Sequence, residues 1–172
     1  MEETFSIRPA ELEDINTIGF IAQQIWPDTY GKIISPEQMQ YMINLFYSPA
    51  SLRRQMVEDH HRFIIVEHDE EAIGFASWSE LADPGQTGTG LYKLHKLYVL
   101  PGIQGRGLGR AVLQFIYDTI RPEGATGLRL NVNRYNKATQ FYERVGFSVV
   151  GEEDVDIGNG YFMNDYIMEI PV

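Results

Sequence analysis

The stretch Gln104-Gly105-Arg106-Gly107-Leu108-Gly109-Arg110 constrains this chain more than any other. It closes a strand-like run over residues 91–100 and opens an apolar-periodic segment, 107–120, that reads as a helix. Gly105, Gly107 and Gly109 can take backbone angles closed to other residues and let a ligand approach the main chain. The first N–H groups of the helix have no intrahelical partner, and the positive end of the helix dipole lies among them. Strand, glycine turn and helix in that order form a cradle for an anion, a pyrophosphate above all. The pattern is Gln-x-x-Gly-x-Gly, without the Lys-Ser/Thr pair with which a Walker loop holds nucleotide and magnesium, and this argues against ATP or GTP. A Rossmann fingerprint fits poorly, since it follows the first strand of its βαβ unit and this turn lies past residue 100. Taken alone, the glycines also fit a plain turn.

Around that turn the chain alternates strand and helix signals. Residues 5–8 read as a short strand stopped by Pro9. Residues 11–26 carry Leu12, Ile15, Ile18, Ile21, Ala22 and Ile25 at three- and four-residue spacing, a helix with one buried stripe that Pro27 helps to end. Ser35-Pro36-Glu37 starts a second helix running to about Tyr47, and Ser48-Pro49 a third that ends before His60. Residues 62–67 and 72–80 form a hairpin about a polar turn, and 83–90 is a loop by composition, either a lid or a linker. Beyond the helix, 127–132 is a buried strand, 136–145 a helix, and 147–155 and 161–170 are two last strands around Gly158-Asn159-Gly160. The result is an α/β chain with a mixed sheet.

At 172 residues the chain is expected to be a single domain over 1–172, and 44% hydrophobic with 22% charged residues is ordinary for a soluble globule. No apolar run approaches the ~20 residues of a membrane span, and the acidic start, Glu2-Glu3, does not read as a signal peptide. Zero cysteines remove disulfides, thiolate metal sites and a cysteine nucleophile, and a cytoplasmic protein is expected. The net charge of −10 argues against nucleic acid as a partner. Residues 151–172 hold Glu152, Glu153, Asp154, Asp156, Asp165 and Glu169 with no Lys or Arg, either a solvated edge or a field that attracts a cationic amine. His60, His61 and His68 flank a strand without an HxxxH or CxxC partner, so a solvated edge is preferred to a metal site.

Leu97-Tyr98-Val99-Leu100-Pro101, followed by Gln104-x-x-Gly107-x-Gly109, resembles the acetyl-CoA-binding segment of the GNAT superfamily of N-acetyltransferases. Asn136-Lys137-Ala138-Thr139-Gln140-Phe141-Tyr142-Glu143-Arg144-Val145-Gly146-Phe147 resembles that family's later helix motif, in which Asn and Ala precede Phe-Tyr and the helix ends in Gly-Phe. The resemblance implies a mixed, mostly antiparallel central sheet flanked by helices. In it, the strand ending at Val99 splays from the strand containing Leu130, and the pantetheine arm of acetyl-CoA enters the gap. It also implies that Leu97, Tyr98 and Val99 meet the acyl end of the donor, with a backbone N–H near Tyr98 or Val99 on the acetyl carbonyl. Gln104, Gly105, Arg106, Gly107, Leu108, Gly109 and Arg110 would hold the pyrophosphate. Tyr142 would contact the donor and protonate the departing thiolate, a task that suits a phenol of ordinary pKa ~10. Family members have seven residues from Asn to Tyr. Here Asn136 lies six before Tyr142 and Asn133 nine before it, so either could contact the pantetheine, or Asn136 could cap the helix.

Acetyl transfer to an amine also needs a neutral nitrogen. A lysine-like amine of pKa ~10.4 costs about 4 to 5 kcal/mol to deprotonate at pH 7, an α-amine near 8 only about 1. His95, on the same side of its strand as Lys93 and Leu97, is the first candidate base and Glu80 the second, with a water chain as a third option. The resemblance places an acceptor pocket at the first inter-helix loop, where Trp26, Tyr30 and Tyr41 could wall an alkyl amine by cation–π contact, although core packing accounts for Trp26 equally well. Tyr161 and Tyr166 are weaker candidates of the same kind. Lys96 to Pro101 and the acidic tail are similar to bacterial members of the spermidine/spermine acetyltransferase type. The expected activity is therefore N-acetylation of a small or peptidic primary amine by direct attack in a ternary complex. A protein N-terminus or an antibiotic amine is the alternative acceptor, and a non-catalytic acyl-CoA sensor the alternative class. A homodimer through the last strands is an expectation from the resemblance alone.

Overall fold

The computed structural model describes residues 4–81 and 90–172, so the expected 83–90 loop lies outside the described residues except at Gly90. In chain order the elements are β1 (Phe5–Pro9), a 3-10 turn (Leu12–Asp14), α1 (Ile15–Tyr30), α2 (Pro36–Tyr47), α3 (Pro49–Val57), β2 (Arg62–His68) and β3 (Glu71–Glu80). Then follow β4 (Leu91–Val99), α4 (Leu108–Ile120), β5 (Gly127–Asn133), α5 (Ala138–Arg144), β6 (Ser148–Gly158) and β7 (Tyr161–Pro171). The seven strands run β1-β2-β3-β4-β5-β7-β6. Pairing is antiparallel except between β4 and β5, the mixed α/β sheet that the sequence leads one to expect. Two compact units divide the chain, one from residues up to Trp78 with Lys96–Phe115, the other from Ser79–His95 with Ile116–Val172.

In the first unit α1 buries Ile18, Ile21, Ala22 and Ile25 as its spacing predicts. It does not stop at Pro27 but runs on to Tyr30. Pro27 removes a bond to the carbonyl of Gln23, and both residues are exposed, so water can satisfy that carbonyl. Trp26 and Tyr30, one turn apart, are both buried, and their packing outweighs the local loss. The next two helices begin as read. Ser35 Oγ accepts from Gln38 N at 3.1 Å and Ser48 Oγ from Ser51 N at 3.2 Å, each ahead of a first-turn proline. Phe63 to Val66 are all buried in β2, and the hairpin to β3 turns on Asp69 and Glu70, both left-handed (φ 49° and 68°), as a two-residue hairpin turn with the twist of its strands requires. Arg8 on β1 bonds Glu67 on β2 and grips Asp14 with two nitrogens at 2.8 and 2.9 Å, and that guanidinium holds the Asp14 carboxyl below its usual range.

The second unit is built on β5, whose Leu128, Leu130 and Val132 are buried, as are Tyr92 and Leu94 on β4 and Met168 on β7. Helix α5 is shorter than the 136–145 read from sequence. Asn136 and Lys137 form its entry turn, with Asn136 Oδ1 accepting from Ala138 N at 2.9 Å, and the chain leaves through Gly146 at φ 107°. Strands β6 and β7 reverse at Gly158, Asn159 and Gly160, all with positive φ. Helix α4 belongs to both units along its length and buries Leu108, Val112, Leu113, Ile116 and Ile120, one face at helical spacing.

Candidate active site

The glycine turn leaves open space beside its main chain. Gly105 and Gly107 have φ of 86° and 75°, where a side chain is strained, and a Cβ on either would meet nothing within 4 Å, so the space beside the main chain is open. Gly109 differs: it has helical backbone in the first turn of α4. The first helical bond is Ala111 N to Gly107 O at 3.1 Å, which leaves the N–H groups of Leu108, Gly109 and Arg110 ahead of the ladder. Leu108 is buried and anchors the turn, Arg106 and Arg110 are exposed beside it, and Gln104 Nε2 donates to Val99 O at 3.1 Å, tying the turn to the end of β4. Open space, unpaired N–H groups and two guanidinium groups fit a pyrophosphate.

The strand leading into that turn carries a feature that its own pattern does not announce. Leu81 N bonds Leu91 O and Leu100 N bonds Ile73 O, both at 2.8 Å. Between these bonds β3 takes eight steps and β4 takes nine, so β4 holds one extra residue, a β-bulge. The parallel register of β4 with β5 runs from Leu91↔Gly127 to Leu94↔Leu130 and ends there. Asn131, Val132 and Asn133 continue their pairing with β7 beyond that register.

On the second unit, Tyr142 is 8% exposed, its ring set against Phe141 (5.2 Å) and Phe147 (5.4 Å). Asn136 is committed to starting α5. Asn133, at the end of β5 and 4% exposed, accepts from Tyr135 N at 2.9 Å through Oδ1, while its Nδ2 has no partner among the described residues. His95 Nε2 lies 2.7 Å from the Oγ of Ser79 on β3, a partner that sequence reasoning missed, and Glu80 stands exposed next to Ser79.

Asp165 is a second residue that sequence reasoning left among a row of equivalent acids. It sits on β7 opposite Asn133, is 7% exposed, and accepts from Asn131 Nδ2 at 3.3 Å; the same nitrogen lies 3.2 Å from Glu153. Burial pushes its pKa up and Glu153 adds to the shift, against the Asn131 bond and the charges of Lys93 and Arg134. A carboxyl whose folded pKa lies above its unfolded value costs nothing below the unfolded value and its full penalty above the folded one. Asp165→Asn, which keeps an oxygen for Asn131, is therefore expected to raise the melting temperature at pH 7, with the gain fading toward pH 4. Thermal melts at the two pH values check this, and a lower melting temperature at pH 7 would sink it.

The aromatic residues expected at an acceptor pocket take two different places. Trp26 and Tyr30 are buried in the first unit, 4.5 Å apart, where Trp26 also meets Tyr47 (5.7 Å) and Tyr98 (6.4 Å), and the Tyr30 and Tyr98 hydroxyls lie 3.1 Å apart. They form the bed on which the Tyr98 side chain rests, whereas Tyr41 is half-buried on α2. Burial lifts the Tyr47 hydroxyl well above the usual phenol range. Close by, Lys96 Nζ donates to Gln55 Oε1 at 2.6 Å and lies over the rings of Tyr47 (5.5 Å) and Phe63 (5.6 Å). Among the described residues no three His, Asp or Glu side chains come together as a metal site, and no helix is long and apolar enough to cross a membrane.

Residues 30–168 match the family model of the acetyltransferase (GNAT) domain. The chain belongs to the GNAT acetyltransferases. It is thus an acyltransferase whose acetyl donor is acetyl-CoA. The enzyme is 28% identical over 171 residues to the spermidine N(1)-acetyltransferase of Thermoplasma acidophilum, covering 96% of each chain. It is 30% identical over 105 residues to the N-alpha-acetyltransferase RimI of Mycobacterium tuberculosis, 61% of this chain and 63% of that one. Its structure is similar to that of the PaiA N-acetyltransferase of T. acidophilum in complex with coenzyme A, with a TM-score of 0.81 at 27% identity over 98% of this chain and 99% of that chain.

Proposed function

We propose that the enzyme transfers the acetyl group of acetyl-CoA to a primary amine by direct attack with both substrates bound, and that the acceptor is a polyamine or another small alkyl amine. The observation that carries the reading is the bulged β4 running straight into an open glycine turn. One segment offers a main-chain N–H near Tyr98 or Val99 to an acetyl carbonyl, and the next offers the N–H groups of residues 105–110 to a pyrophosphate. The amide Nδ2 of Asn133 is the side-chain donor for the pantetheine arm, since Asn136 is engaged in the entry turn of α5.

The acyl donor supplies an activated thioester. As the amine nitrogen bonds the acetyl carbon and the C–S bond breaks, one proton must leave the nitrogen and one must reach the sulfur. Tyr142 is the proton donor to sulfur. His95, held by Ser79, is the acceptor for the amine proton, with Glu80 as the second candidate. Direct attack agrees with a chain that has no cysteine to carry an acetyl group. A cationic acceptor agrees with the net charge of −10 and with the relationship to a spermidine acetyltransferase. The relationship to an N-alpha-acetyltransferase supports a second reading, an α-amine acceptor.

Thiol release from acetyl-CoA separates them, run with spermidine, spermine, a lysine-containing peptide and a peptide with a free N-terminus. We expect turnover with the polyamines, rising from pH 7 to 9 as the amine deprotonates. Turnover confined to the free N-terminus, already near its maximum at pH 8, would replace the polyamine by the α-amine, and no turnover with any amine would overturn both.

A further inference from the structure

We propose that Gly74 is a positioning residue for the acyl end of the donor site: the side chain it lacks is what allows the main chain of Tyr98 and Val99 to lie where it does. The inference rests on the reading that this part of β4 meets the acetyl carbonyl. Gly74 lies inside β3 between buried Ile73 and Phe75, a position where glycine weakens a strand and a β-branched or aromatic residue would pack. Its φ is not in the left-handed region, so conformational freedom does not explain it. Space does. A Cβ on Gly74 would stand 2.6 Å from the Tyr98 carbonyl oxygen and 3.3 Å from both Cα and Cγ2 of Val99.

The obstacle is fixed from several sides. Leu100 N is bonded to Ile73 O at 2.8 Å, which pins β4 to β3 directly beside Gly74. The Tyr98 side chain is held by the Tyr30 hydroxyl at 3.1 Å and by the rings of Trp26 and Phe75 (6.4 and 5.7 Å), so the residue cannot swivel aside. Gly127 offers a contrast, since a Cβ there first meets the tip of the Leu91 side chain at 3.2 Å, which can move. At Gly74 a single added methyl must displace main chain, and the main chain displaced is the stretch that carries the N–H for the carbonyl.

Gly74→Ala tests this. We expect kcat to fall at least tenfold while the amine KM and the dissociation constant for coenzyme A, which lacks the acetyl group, stay within about threefold. An unchanged kcat overturns the proposal, and so does a parallel loss of kcat, coenzyme A affinity and melting temperature, which would make Gly74 a packing residue. Adding Val99→Ala removes the Cγ2 contact but not the carbonyl and is expected to restore nothing; recovery of kcat in the double variant overturns the proposal. The wild-type protein gives a measurement that does not depend on the variant folding: in ¹⁵N spectra the amides of Gly74 and Val99 are expected to differ between the coenzyme A and acetyl-CoA complexes. No difference at either overturns the Gly74 assignment. No difference anywhere on β4 overturns the reading beneath it, whereas a response on β4 combined with full activity of Gly74→Ala removes Gly74 alone.

Discussion

Gly107→Ala is expected to weaken binding of acetyl-CoA by roughly thirty- to a hundredfold. At φ 75° an alanine is strained by about 1 to 2 kcal/mol, and its methyl group would project into the open space assigned to the pyrophosphate. The strain falls on the free fold as well as on the complex, so the affinity loss comes from the blocked space and the hydrogen bonds the pyrophosphate then forgoes, about 2 to 3 kcal/mol, and each 1.4 kcal/mol is tenfold in affinity. The substitution meets no protein atom within 4 Å, so the fold should hold, with a melting temperature lower by about the few degrees that the strain costs, and the loss of affinity should appear in titration calorimetry. Gly102→Ala is the control. Gly102 is equally open but its φ is not positive, and its replacement should leave affinity unchanged. Equal binding by the Gly107 variant and the native enzyme would remove this turn from the donor site.

Tyr142→Phe is expected to lower kcat by at least tenfold and toward a hundredfold, the range in which a positioned proton donor contributes. The ring contacts with Phe141 and Phe147 survive the change, so stability and donor affinity should hold. The thiolate of coenzyme A is a better leaving group than an alkoxide and can depart unprotonated at a cost, which is why we expect a slowed enzyme and not a dead one. The loss should shrink for donors whose thiol is more acidic. An unchanged kcat, or a loss identical for all donors, would mean that Tyr142 serves packing and that sulfur receives its proton elsewhere.

What could be read from the sequence was local. Ser35 and Ser48 each precede a proline, and the cap, the fixed φ and the helix start lie within four residues, so no distant contact is needed to read them. Pro27 shows the limit. Its tendency to stop a helix is local, but the burial of Trp26 and Tyr30 that carries α1 past it is decided by Tyr47 and Tyr98, far away in sequence. The extra residue in β4 was not legible because a bulge is a difference between two strands and leaves no mark on either alone. Asp165 was hidden for a related reason. Six acids near the C-terminus look alike in order, and only the register separates them: Glu152 and Asp154 reach Arg134 at 2.9 Å each, while Asp165 turns inward opposite Asn133. The ambiguity between Asn133 and Asn136 likewise needed hydrogen-bond partners, which spacing does not supply.

In the strand order β6 comes last, and along most of its eleven residues its side chains are exposed. An edge of that length offers free N–H and C=O groups to any extended chain, and Val149 and Val150, 45% and 54% exposed, make it more adhesive. Glu152, Glu153, Asp154 and Asp156 stand on the same strand. A second copy of β6 laid against the first in antiparallel fashion would bring like charges opposite one another, which is destabilising in a sheet. The acidity of this segment thus doubles as a guard against runaway strand addition, and any assembly of the enzyme through its last strands must either tolerate that repulsion or use another face.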